Sequence, residues 1–332
     1  MRKPRFIGVA ILMAFALVVT ACGDDDATDT TTAAGEGFRI AIVAPSASND
    51  LAFSQSIVDA VNIVAEEMGN VTIEVTDGTF VVDDAAAAIR AYADDGVDLV
   101  IAHGSQYGGS LAEIAPDFPD TAFAWGTAAD TFGLPNVFSY EAASDEGGYV
   151  MGVMGAALST SNVIGIVGPI EVGDAKLYVD GYAAGVMAEN PDATVNISYT
   201  GSFSDVALAK EAAESQLAAG ADVLTGTAQM VVGAVGVANT NGMLWFGTQA
   251  NQTTLAPSIV VASQVYHWEV LLRDMIAKIN NGTLGGEVYS ITLENGGLVI
   301  EFNSEFDLPA DVRAKADATI AGIIDGSIVT TP

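Results

Sequence analysis

The sequence predicts an α/β fold of two doubly wound lobes joined by a multi-strand hinge, a clamshell. Three observations predict it. From residue 38 onward, short β-branched runs alternate with helix-period segments, the rhythm of a parallel sheet covered by helices. The same rhythm restarts after a turn-rich passage near residue 140. The roughly 295 residues from Phe38 also exceed what one hydrophobic core usually supports.

Each element has its own signature in the chain. FRIAIVA (38–44) is a short apolar run suited to a buried parallel strand. FSQSIVDAVNIVAEEMG follows with Ile57, Val61 and Val64 on one helical face and Gly69 as its stop. VTIEVTDG (71–78) reads as a strand. DDAAAAIRAYADDG (83–96) is a helix whose opening acids suit the positive end of its dipole. VDLVIAHG (97–104) is a third strand, SLAEIAPDFP a helix, and TAFAWG (121–126) a fourth strand. The stretch from Asn136 to Leu158 begins extended and becomes a Gly/Ala-rich helix at about Glu146.

The second series runs NVIGIVG (162–168, strand), AKLYVDGYAAGVMAENP (175–191, helix) and TVNISYTG (194–201, strand). VALAKEAAESQLAAG (206–220, helix), ADVLTGT (221–227, strand) and GMLWFGT (242–248, strand) complete it. A strand meets a helix near VVASQVYHWE (260–269), which suggests a second crossover. EVYSITLENGGLVIEFN reads as a hairpin turning at Asn-Gly-Gly. LPADVRAKADATIAGIIDG is a final helix. The expected lobes are therefore 38–140 with about 265–298, and 141–264 with about 299–332.

Residues 1–21 read as a secretory signal, with MRKPR as its basic start and FIGVAILMAFALVV as its apolar core. That core, about fourteen residues, is short for a bilayer span of roughly twenty. V-V-T-A-C (18–22) resembles a lipobox, in which Cys22 is lipidated; the other reading is an ordinary signal with an incidental cysteine. A single cysteine makes neither an internal disulfide nor a metal cluster. Residues 22–37 have no apolar periodicity and read as a disordered acidic leash, with a reach of roughly 20–23 Å as a flexible coil.

The formal net charge is −31, from 42 acids against 11 lysines and arginines. Loss of Arg2, Lys3 and Arg5 with the signal makes it more negative still. Such a surface repels nucleic acid. Scattered acids and few lysines read as a solvated face suited to a salty habitat, where ions screen self-repulsion.

Catalytic chemistry is thinly represented. His103 and His267 are the whole imidazole supply, and no G-x-S-x-G elbow, P-loop or G-x-G-x-x-G fingerprint occurs. Asp83-Asp84 and Asp94-Asp95 sit at helix ends, where they cap. Neither an enzyme, a cofactor nor a metal is expected.

Ligands of open α/β sheets collect where strands end. The windows to search are 45–54, 103–109, 125–130, 168–174, 201–205, 226–230 and 247–252. Aromatic residues recur there beside small or amide residues: Phe53 with Ser54 and Gln55, Tyr107 after Gln106, Trp125 before Gly126, and Phe203 before Ser204 and Asp205. Aromatic faces stack on flat rings, and amides and carboxylates read ring donors and acceptors. Each aromatic alone reads more readily as core than as site, four at the same end of the sheets shift that balance, and Trp125 still lies within its strand run. Gln229 and Gln249 are candidate amides in the last two windows.

These segments resemble the basic membrane protein family of ABC-importer substrate-binding lipoproteins, whose best-known members bind purine nucleosides. DLAFSQS (50–56) is similar to the family's D-x-x-F-N-x-S, with Ser54 in place of asparagine; SDEGGYVMG (144–152) to E-x-x-Y-x-x-G; YTGSFSD (199–205) to Y-x-G-S-F-x-D. The resemblance implies a type I periplasmic-binding-protein-like clamshell in which Phe53 and Phe203 sandwich a base, with Asp50 and Ser54 nearby and Tyr107 at the third strand exit. Two departures stand out. Gly247-Thr248-Gln249-Ala250-Asn251 replaces the family's G-V-D-S-D, and Ala262-Ser263-Gln264-Val265-Tyr266 replaces T-S-x-x-K, so both charged ribose contacts are gone. GPIEV (168–172) and YHWE (266–269) resemble a branch associated with free purine bases, where Trp268 is either a pocket wall or a cover for the hinge. The resemblance implies a monomer, tethered to the membrane through Cys22, that hands adenine, another purine or a nucleoside to an ABC permease. A ligand sensor acting through a membrane receptor is the alternative, and a nucleoside hydrolase is disfavoured by its missing Asp cluster.

Overall fold

The computed structural model describes residues 37–330. The expected signal, Cys22 and nearly all of the leash lie outside the described residues.

The first sheet is built from β1 (Phe38–Val43), β2 (Val71–Thr76), β3 (Leu99–His103), β4 (Ala122–Gly126) and β5 (Val137–Ala142), interleaved with α1 (Phe53–Met68), α2 (Val82–Asp94) and α3 (Gly108–Ile114). The chain continues through α4 (Ser144–Leu158), β6 (Val163–Gly168), α5 (Gly173–Glu189), β7 (Thr194–Tyr199), α6 (Val206–Ala218), β8 (Val223–Gly226), α7 (Val232–Asn241), β9 (Leu244–Gln249) and β10 (Val260–Tyr266). It closes with α8 (Glu269–Asn280), β11 (Val288–Ile291), β12 (Leu298–Phe302) and α9 (Ala310–Ile324).

Strand order is β11-β5-β4-β3-β1-β2 in one sheet and β12-β10-β9-β8-β6-β7 in the other. All pairs in the first sheet are parallel, and β12 alone is antiparallel in the second. Central strands such as β3 are buried along their whole length, as expected where helices cover both faces.

Residues 287–303 are not a hairpin. β11 pairs with β5 in the first sheet and β12 with β10 in the second. The turn itself is real: Asn295 Oδ1 accepts from the amides of Thr292 and Gly297, 2.9 Å each. Each flanking strand finds a longer partner in a different sheet, so the turn becomes a crossover between lobes. A second difference is α7, which the strand-to-strand reading of 221–248 passed over. Its apolar residues surround the helix without a polar stripe, so it shows no period to read.

α4 and α5 meet backbone to backbone. A Cβ at Gly152 would run into the carbonyl of Tyr182, and one at Gly185 into that of Tyr149. The chain crosses between the sheets through α4, again after β10, and again between β11 and β12.

Candidate functional site

A cleft opens between the carboxyl ends of the two sheets, enclosing about 410 Å³ of space not occupied by atoms, part of it open to solvent. Nearly every strand exit contributes to it. The first lobe supplies Pro45 after β1, Phe53 at the start of α1, Phe80 after β2, Ser105 and Gln106 after β3, and Thr127 after β4. The second supplies Val172, Asp174 and Ala175 after β6, Phe203 after β7, Ala228 and Gln229 after β8, and Gln249 at the end of β9.

The Phe53 ring is held from behind. It stacks on His103 at 4.0 Å between centroids, with the planes 20° apart, and His103 stacks in turn on Tyr140 at 5.9 Å. His103 Nε2 is 3.1 Å from the Phe53 carbonyl, which can only accept, so Nε2 carries the hydrogen. Nδ1 then accepts from the Tyr140 hydroxyl at 2.7 Å. Burial holds the imidazole at a pKa of about 3, so this neutral tautomer persists at physiological pH.

Asp50 does not line the cleft but fixes the entry to α1. Its carboxylate accepts from the Ser46 hydroxyl (2.6 Å) and from the amides of Ala52, Ser54 and Gln55 (2.9–3.1 Å), capping the helix from two residues upstream. Ser54 is buried behind the cleft wall, its hydroxyl 2.6 Å from that of Ser46. Tyr107 turns into the core and donates to the Thr79 carbonyl at 2.8 Å. Trp125 lies flat against Phe132, 4.9 Å away, and donates to the Gly104 carbonyl. Asp205 caps α6 through the amides of Ala207 and Leu208. Trp268 is fully buried at the lobe junction, edge-on to Tyr140 and Tyr266, with its indole N–H on Ser56. Of the residues singled out in the sequence, the cleft brings together Phe53, Phe203, Gln229 and Gln249.

Other cleft residues carried no sequence signal of their own. Asp174 and Thr127 fall inside the strand-exit windows 168–174 and 125–130, but as a lone acid just before the expected helix and a small residue after a strand neither stands out. In the fold they meet across the cleft, Thr127 Oγ1 donating to Asp174 Oδ1 at 3.0 Å. Burial pushes the Asp174 carboxyl up to about 6. Gln252 Nε2 forms a second bridge, donating to the Leu51 carbonyl at 3.3 Å.

Two non-glycine residues of the wall, Ala228 and Gln249, hold φ at 74°. This left-handed backbone costs roughly 1–3 kcal/mol per residue and collects at functional sites. Gln249 is also buried with an unpartnered Oε1, an acceptor the protein itself leaves unsatisfied.

Residues 38–329 match the family model described as ABC transporter substrate-binding protein, PnrA-like (Bmp). The chain belongs to the Bmp family. A purine-binding protein of Brucella abortus is 25% identical over 245 residues, 74% of this chain and 69% of its own length. The transcriptional activator protein med of Bacillus subtilis is 24% identical over 290 residues, 87% of each chain. The fold matches that of an ABC transporter solute-binding protein from Conexibacter woesei at a TM-score of 0.72 and 24% identity, covering 88% of this chain and 98% of that one.

Bmp proteins are solute binders of ABC transporters rather than enzymes. Such proteins bind a small molecule and work outside the cytoplasm with an ABC permease. No helix among the described residues of this Bmp chain is long and apolar enough to cross a membrane.

Proposed function

We propose that this Bmp protein captures a purine, as free base or nucleoside, between its lobes and delivers it to its permease as a monomer tethered to the membrane through a lipidated Cys22. The observation that carries this reading is the cleft wall: Phe53 from one lobe and Phe203 from the other, beside Gln106, Gln229, Gln249 and Asp174. Aromatic faces supply stacking, and the amides and carboxylate supply edge contacts for a flat heterocycle. No lining residue is basic, which disfavours phosphorylated and other anionic solutes. The motifs around Asp50 and Phe203 and the name of the Brucella relative point the same way.

The free base is the preferred form, because Gln249 and Tyr266 occupy the positions where nucleoside binders carry charged ribose contacts. A sugar would be desolvated there without its usual partners. Thermal melting in the presence of adenine, adenosine or inosine tests both levels. Adenine is expected to raise the Tm at least as much as adenosine. A large shift with nucleosides alone overturns the free-base preference, and no shift with any purine overturns the reading as a whole.

A further inference from the structure

Among the described residues the cleft is lined by one acid, Asp174, and purine binding alone does not say which edge of the ring it meets. Asp174 is buried in the first turn of α5, where backbone N–H groups of Asp174 and Ala175 support its carboxylate, and the hydroxyls that reach it are Thr127 from the first lobe (3.0 Å) and, at a long 3.4 Å, Tyr266 from β10. An ionised carboxylate has about four acceptor positions, and the Tyr266 contact at 3.4 Å is too long to fill one well, so Oδ2 can still accept from a ligand. No cation stands among the cleft residues to balance it. A buried carboxylate without a cation is expensive unless N–H or O–H donors surround it. On the cleft side the neighbouring polar atoms add few beyond these. Gln249 Oε1 is itself an unpartnered acceptor, and the Thr127 hydroxyl hydrogen is already given to Asp174.

We infer that Asp174 is a specificity-determining residue: it accepts from an exocyclic amino group of the bound ring and makes the cleft selective for amino-substituted over oxo-substituted heterocycles. This inference rests on the purine reading above. An oxo group in the same place would set one acceptor against another, leaving a buried carboxylate facing a carbonyl oxygen. The expected discrimination is on the order of tenfold or more, the effect of one unmade buried hydrogen bond.

Adenine and hypoxanthine serve as probes, being closely matched rings with an amino or an oxo group at the same carbon. Calorimetric titration of the wild-type protein is expected to favour adenine by about tenfold or more. Asp174→Asn keeps the shape and supplies an amide donor, so it is expected to bring the ratio close to one by improving hypoxanthine and weakening adenine. A folded variant that retains the wild-type ratio overturns the inference, as does a wild type with no preference. If the wild type binds neither probe nor any nucleoside, the purine reading falls first.

Should the variant fail to fold, the wild-type ratio measured from pH 8 to pH 5 decides. Below about 6 the protonated carboxyl gains a donor for an oxo group, so the preference for adenine narrows. The ionisable groups near Asp174 are the Tyr266 phenol, kept protonated by burial, Asp145 beside Ser144 on α4, and Lys176, which is paired with Asp180 on α5. A ratio flat across that range overturns the inference.

Discussion

His267 shows how one side chain links pH to stability in this fold. Its Nδ1 lies 2.9 Å from Glu269 Oε1, and its Nε2 lies 3.8 Å from Glu301 Oε1, too far for a hydrogen bond but close enough for attraction. The hydrogen bond to Glu269 leads the effects that raise its pKa from 6.5 to about 9. A raised folded-state pKa stabilises fully below 6.5, and that contribution disappears as pH climbs through about 9. The Tm of wild type is therefore expected to fall more between pH 6.5 and 9.5 than that of His267→Gln, by roughly 1–3 °C, read by circular dichroism. Equal falls would refute the linkage. At this scale the sequence was legible in part. Phe53 and Phe203 stand at strand exits where aromatic residues announce themselves, but so do Tyr107 and Trp125, and a strand exit does not say which way a ring turns. Tyr107 found the Thr79 carbonyl and went inward. Asp174 does not stand out, because an acid at the start of a helix needs no other explanation than the dipole.

Among the elements, the α4–α5 seam is the tightest packing described. Gly148 and Gly152 of α4 face Gly181 and Gly185 of α5, and a Cβ at any of them would meet main-chain atoms of the other helix. Main chain cannot rotate aside as a side chain does, so overpacking here exceeds the usual range. Gly152→Val is expected to lose about 3 kcal/mol or more in urea unfolding, while Gly236→Ala on α7, with open space around it, should change stability by less than about 1 kcal/mol. A Gly152→Val protein as stable as wild type would disprove the seam. The strands and most helices were legible because β-branched runs and acidic helix starts are local signals. α7 and the separate destinations of β11 and β12 were not. The former has no polar face, and the latter depend on which distant strand offers a partner, information that no local pattern contains.

For the whole molecule the dominant quantity is charge. At −31 the native state repels itself, and the ion pairs described are few and mostly at the surface, such as Arg273 with Glu67 and Arg90 with Asp117. Sodium chloride is expected to raise the Tm progressively between about 0.05 and 1 M as the Debye length falls from beyond 10 Å to about 3 Å. A flat or falling series would separate the acidic surface from any stabilising effect of salt. Two-lobed architecture was readable from the restarted strand–helix rhythm.

The three crossovers have a consequence in time. β11, the edge strand that pairs with β5, comes from residues 288–291, and α8 packs on α1 from residues 269–280. A growing chain thus cannot complete its first lobe when β5 emerges. It waits for about 150 further residues, with β5 as an unpaired edge open to wrong partners. The lobe that begins first is finished almost last, and a fragment ending near residue 142 is not a domain.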